Sequence, residues 1–365
     1  MSLAILGTRM FEKQSQSVEH SSTAIQAGGH VVVISAGVSA SEARQIALDV
    51  FHANLMEFRG EALAIARQRG EEITEKFLEK LSRENLAGLS QARSPDFQDA
   101  MFAVQKEYAK AGDKELGDLL VDLLVDRTKV ESRSILQIVL NESINTAPKL
   151  TSAQTATLSI IFFLRYVRWS NGVENIKDLV EKITGAVRPV ASTFSISNST
   201  FNHLAFTGCG SSLPMVQTLE NIFSLTYPGL FTLGFDKATL DAAEISPAAA
   251  SEMVMPCLND PTRYQVAALN KDVFESKVLS CSLGEDEKGR LLALCGEGVM
   301  PHDVVRSKLL KQAPFLDCVF ASWNHSDGKN CALGQFQLTS VGMAIGHANI
   351  KRHIGEFASL AIWIN

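Results

Sequence analysis

Apolar positions between residues 39 and 85 recur three and four apart: Ile46, Ala47, Val50, Phe51, Leu55, Phe58, Ala62, Ile65, Ala66, Ile73, Phe77 and Leu81. That spacing draws one stripe along a 3.6-residue helix. Ser39 and Glu42 form the S-x-x-E box that opens it. Gly60 and Gly70 each weaken a helix by about 1 kcal/mol relative to Ala. The stretch therefore reads as one long helix to about Asn85, suited to packing between subunits, or as two ordinary helices split at Gly70. The opposite side, with Glu72 and Lys76 at the favourable i,i+4 spacing, reads as a solvated face.

Further helices follow in the same period. Pro95 stands at the first position of a segment running to about Lys110. Residues 113–126 (DKELGDLLVDLLVD) and 131–144 (ESRSILQIVLNESI) are amphipathic, and Pro148 ends that run. Residues 151–169 are almost entirely apolar through LSIIFFL, which marks the centre of the core. Residues 174–187 give one more helix, so 39–190 is expected to be an all-α domain. Asp118, Asp122 and Asp126 fall on one face of their helix and read as a solvated stripe, since a buried set needs cations to match it.

The flanks have another character. Before residue 39 a polar stretch leads into Ile25, then Gly28-Gly29, then Val31 and Val33. Two glycines between β-branched runs are a hairpin signal. A lone hairpin is marginal in water and presents unpaired edges. It either folds back on its own domain or pairs with other copies. The second reading is taken, making 1–38 an oligomerisation element with Ile25, Gly28, Gly29, Val31 and Val33 as its contact residues. After 190 a Ser/Thr/Asn-rich loop opens a smaller mixed α+β domain, 191–365. There residues 336–338 read as a strand entering a helix capped by Thr339 or Ser340. Residues 360–364 (LAIWI) read as a final strand, and 285–289 as a polar loop. The fold class is mainly α.

Composition narrows the class. The chain has 365 residues with 46% apolar and 20% charged side chains, enough for a large packed core. Its formal charge of −6 argues against nucleic acid as a partner. Residues 1–7 fall short of a signal peptide, and Arg165 and Arg168 interrupt the longest apolar run before it could span a membrane. The six cysteines include no C-x-x-C pair, so free thiols in the cytoplasm are expected. No Walker A, H-E-x-x-H or G-x-S-x-G motif occurs, and no metal or cofactor is expected. One weak catalytic candidate is Cys209 between two glycines with His203 as its base; the competing reading is a turn, with Ser211 or Ser212 capping a helix through Pro214.

Three stretches, 22–51 (STAIQAGGHVVVISAGVSASEARQIALDVF), 114–144 (KELGDLLVDLLVDRTKVESRSILQIVLNESI) and 336–352 (FQLTSVGMAIGHANIKR), together resemble an uncharacterised family of bacterial proteins known under locus-style names. The resemblance runs over most of the chain and brings no activity and no catalytic residues with it. Its Gln-Ala-Gly-Gly element resembles an appendage of varied bacterial proteins, some associated with phage defence. Residues 336–342 resemble the strand-to-helix corner of winged-helix domains. The resulting expectation is a non-catalytic, self-assembling or partner-binding protein, linked to phage defence or stress. A cysteine-dependent hydrolase or transferase using Cys209 and His203, and a winged-helix-like regulator, are the alternatives.

Overall fold

The computed structural model describes residues 38–54, 60–130, 132–281, 283–327 and 329–364. The expected hairpin, with Ile25, Gly28, Gly29, Val31 and Val33, lies outside them. In chain order the helices are α1 Ala40–Asn54, α2 Glu61–Glu84, α3 Pro95–Ala111, α4 Lys114–Thr128, α5 Ile135–Thr146, α6 Ser152–Tyr166, α7 Ile176–Val187 and α8 Asn198–Phe206. There follow α9 Leu219–Thr226, α10 Lys237–Ala242, α11 Pro247–Met253, α12 Lys271–Cys281, α13 Glu285–Cys295, α14 His302–Gln312, α15 Leu316–Asn324 and α16 Ser340–Ile354. Strand β1 (Gly210–Ser212) pairs antiparallel with β4 (Phe336–Leu338), and β2 (Val254–Pro256) with β3 (Tyr264–Val266). The protein is mainly α, as its periodicity implies.

Local chemistry explains where the helices begin. The Glu42 N–H donates to Ser39 Oγ at the start of α1, Asp113 caps α4 through the N–H groups of Glu115 and Leu116, and Thr151 with Gln154 closes a full capping box on α6. The stretch from Ser39 to Asn85 is not one helix. Helix α1 is described as far as Asn54, and α2 begins at Glu61 behind Gly60, whose φ of 59° no regular helix accepts. Gly70, the other expected break, lies inside α2 where the Phe51 ring of α1 presses on it.

Helix α6 is the axis of the molecule. Its residues 154–164 are all buried, and α16 packs along it more extensively than any other pair of elements. Small residues permit the approach: a Cβ on Gly346 would stand 2.9 Å from the Leu158 carbonyl oxygen, and one on Gly342 only 2.0 Å from that of Cys209. Asn349 of α16 donates to Ser159 Oγ of α6 at 2.8 Å within this seam. The core is continuous across residue 190, since Ile160 and Phe162 share it with Trp323, Phe336 and Ile345. A smaller core joins β2 and β3 to α12 and α13 around Phe274 and Leu291.

Three local expectations are corrected. Residues 360–362 form a 3₁₀ turn rather than a strand: Trp363 Nε1 donates to the Tyr166 carbonyl at 2.9 Å, so the segment caps the end of α6 instead of joining a sheet. Residues 285–289 begin α13, because three acidic residues in its first turn suit the positive end of a helix. Ser211 and Ser212 belong to β1, and the helix that follows starts only at Leu219, capped by Thr218.

Candidate functional site

The two side chains of the expected nucleophile pair are each hydrogen-bonded to another partner. Gly208 at φ 76° turns the chain from α8 into β1 and carries Cys209 inward, where its side chain is fully buried. Burial pushes its thiol up, away from the thiolate. Thr207 Oγ1 donates to its sulfur, while His203 Nδ1 engages the Gln154 side chain at 2.9 Å. Cys209 thus serves the backbone: its carbonyl accepts from the Thr339 N–H at 3.0 Å and lies against Gly342, fixing the start of α16.

The acidic stripe of α4 is solvated only at Asp118, whose side chain is 46% exposed; its other two members are buried. Asp122 is 1% and Asp126 9% exposed. Lysines supply the matching cations. Lys80 of α2 pairs with Asp122; Lys351 of α16 reaches Asp126 at 3.0 Å and Glu84 at 2.7 Å; Lys129 reaches the same two acids at 2.7 and 3.1 Å. Partial burial alone would raise the Glu84 carboxyl, but Lys351 and Lys129 hold it down at about 2. Burial dominates at Asp122 and raises its carboxyl despite Lys80. Three helices are therefore tied by charge at one point. Among the described residues no group of three or more His, Cys, Asp or Glu could hold a metal ion.

Beside this cluster opens a cleft of about 840 Å³. It lies between the 3₁₀ segment Leu86–Arg93, the start of α3, the end of α4 and the outer face of α5. The close approach of these pieces depends on Gly88, where a Cβ would meet the Thr128 hydroxyl at 2.7 Å. Arg127 forms the floor, 2% exposed. Its Nε donates to Asn141 Oδ1 at 3.1 Å, its Nη1 to Gln91 Oε1 at 2.7 Å, and its Nη2 to the Asp96 carboxylate. Gln91 is itself fixed by donating to the Thr128 carbonyl at 2.8 Å. Lys129, Arg133 and Glu142 complete the charged lining. Ile138 gives an apolar edge, with Leu86 and Ile135 exposed on the same elements. Among the described residues no cysteine, histidine or aromatic side chain lines this cleft. It can offer hydrogen bonds, charge and a small apolar rim, but neither stacking nor a thiol–imidazole pair. Sequence reasoning missed it because its floor is assembled from four elements with no shared local pattern.

The fold and cleft define a mainly helical protein with a preformed polar recess and a charge-tied helix junction. The chain belongs to an uncharacterised protein family of locus-style name, whose model matches residues 37–364. No curated protein and no solved structure matches the chain. No helix among the described residues is long and apolar enough to cross a membrane.

Proposed function

We propose that this is a non-catalytic binding protein whose binding face is the cleft over Arg127. One observation carries the reading: a recess of about 840 Å³ is lined by an organised polar floor and an apolar rim, and its central charged groups are already engaged within the protein. Asp96 is paired with Arg127, and Lys129 with Glu84 and Asp126. Groups held this way orient a ligand rather than exchange protons with it. Self-assembly through Ile25, Val31 and Val33, a cytoplasmic setting and a role in phage defence belong to the same proposal on sequence grounds alone.

The test is a thermal-shift screen of small polar compounds and short peptides, repeated on a rim variant carrying Arg133→Glu and Ile138→Asp. Both positions are exposed, so the variant keeps its fold. A ligand at about 100 times its Kd stabilises the folded chain by about 2.7 kcal/mol, and the rim variant loses that shift. A screen with no shift, or shifts that persist in the variant, would remove the cleft as the binding face.

A further inference from the structure

Asp96 occupies an unusual position in the cleft. It stands in the first turn of α3, with one carboxylate oxygen on Arg127 Nη2 and the other accepting from Asn141 Nδ2 at 3.1 Å. Arg127 is held without its help, because Gln91 and Asn141 fix the other two nitrogens of the guanidinium. The two partners of this ion pair differ sharply in exposure, 2% for Arg127 against 51% for Asp96. The cation is built into the floor, whereas the anion is reached from the open cleft.

A buried guanidinium needs an oxyanion, and its flat fork accepts a carboxylate or a phosphate equally well in shape. The rest of the lining favours the same chemistry. Among the described lining residues Arg127, Lys129 and Arg133 outnumber Asp96 and Glu142, in a chain whose overall charge is −6. With no aromatic side chain among the described lining residues, a base or sugar ring finds no stacking partner there. Arg133 makes no ion pair with any described residue and is exposed, so an incoming anion has a second cation to meet.

We infer that Arg127 and Asn141 form an oxyanion seat, filled by Asp96 in the free protein and taken over by a carboxylate- or phosphate-bearing ligand that enters the cleft. This rests on the reading of the cleft as the binding face and adds the ligand's chemistry to it. Asp96 is an intramolecular competitor, present at a local concentration that any ligand must exceed. Removing its carboxylate leaves the seat formed and empty.

The experiment uses the full-length chain with Asp96→Ala, titrated with sodium acetate, inorganic phosphate and, at matched ionic strength, sodium chloride. Calorimetry and the unfolding midpoint are the readouts. Acetate or phosphate is expected to bind the variant saturably, at least about tenfold tighter than the parent, and to restore the midpoint; chloride does neither. The tighter of the two anions identifies the ligand as carboxylate or phosphate. Adding Asn141→Ala removes one donor and is expected to weaken the anion by about tenfold. If Asp96→Ala does not fold, the same titration on the isosteric Asp96→Asn applies. Absence of saturable binding overturns the inference, and so does binding that Asn141→Ala leaves unchanged, which marks an adventitious ion only. In either case, ligands that still depend on Arg133 and Ile138 keep the cleft as the binding face, whereas loss of both results removes both readings.

Discussion

Replacing Lys351 by Met tests whether the junction of α2, α4 and α16 is held by charge. Met keeps the length and the packing of the aliphatic stem, so the change is confined to the ammonium group. Lys351 Nζ lies 2.7 Å from Glu84 Oε2 and 3.0 Å from Asp126 Oδ1, with its side chain 11% exposed. The Asp126 limb sets the magnitude. That carboxylate is 10% exposed, its Oδ2 lacks a hydrogen-bond partner, and it would keep Lys129 as its cation. Breaking a buried pair costs roughly 3–5 kcal/mol when a charge is left uncompensated; with Lys129 remaining, the lower end applies, about 3 kcal/mol. Glu84 adds little, since water reaches it and an exposed limb contributes about 0–1 kcal/mol. Urea unfolding should show a lower midpoint at unchanged slope, and a double-mutant cycle with Asp126→Asn should give a coupling of about 1–3 kcal/mol. The pH dependence has a definite sign. Glu84 is depressed from 4.5 to about 2, so its stabilisation is complete above pH 4.5 and fades as pH falls towards 2. The gap between parent and Lys351→Met should narrow over that range. A variant within about 0.5 kcal/mol of the parent at neutral pH, the scatter of ordinary surface changes, would refute the reasoning.

Three further outcomes are expected. Gly70→Ala drives a Cβ into the buried ring of Phe51 and should cost about 1–3 kcal/mol in thermal unfolding. His347 is buried, its Nε2 bonded to the Ala358 carbonyl at 2.8 Å, and burial lowers its affinity for a proton despite the nearby Asp126. The unfolded chain therefore takes up that proton first, and stability should decline as pH drops below the ordinary value of 6.5; a His347→Gln variant that keeps the same slope would remove His347 as its source. All six cysteines are free; brief alkylation of the native protein at neutral pH should label the exposed Cys318 and spare Cys209, as peptide mass mapping would show.

The elements that could be read from the sequence are those whose causes are local. Pro95 at the start of α3, Asp113 before α4, Thr151 with Gln154 before α6 and Thr339 before α16 each act within four residues of themselves. Burial of α6 is legible too, because nothing charged interrupts its middle. The acidic stripe shows where such reading stops. Asp118, Asp122 and Asp126 are regular in sequence, but the cations that decide whether they face water are Lys80, 42 residues before Asp122, and Lys351, 225 residues beyond Asp126. The last segment was misread for a similar reason: LAIWI has strand composition, yet the nearby orphan carbonyl at the end of α6 draws Trp363 into a cap. At the cleft, Gln91, Asp96, Arg127 and Asn141 carry no motif, since only the tertiary fold makes them neighbours.

One turn of α4 links the two polar features of the molecule. Residues 126–129 run Asp-Arg-Thr-Lys, and successive side chains on a helix are rotated by about 100°. Asp126 therefore points to Lys351 of α16, while Arg127 points to Gln91, Asp96 and Asn141 in the cleft. Lys129 closes the turn and takes part in both, lining the cleft while pairing with Glu84 and Asp126. Displacement of Asp96 from Arg127 acts on the same turn that Lys351 fixes from the other side. On its far side α16 is closely packed, with Gly346 against Leu158 of α6 and Gly342 against the Cys209 backbone. The cleft's outer wall, the segment Leu86–Arg93 and the first turn of α3, is joined to that same turn by Gln91 and Asp96.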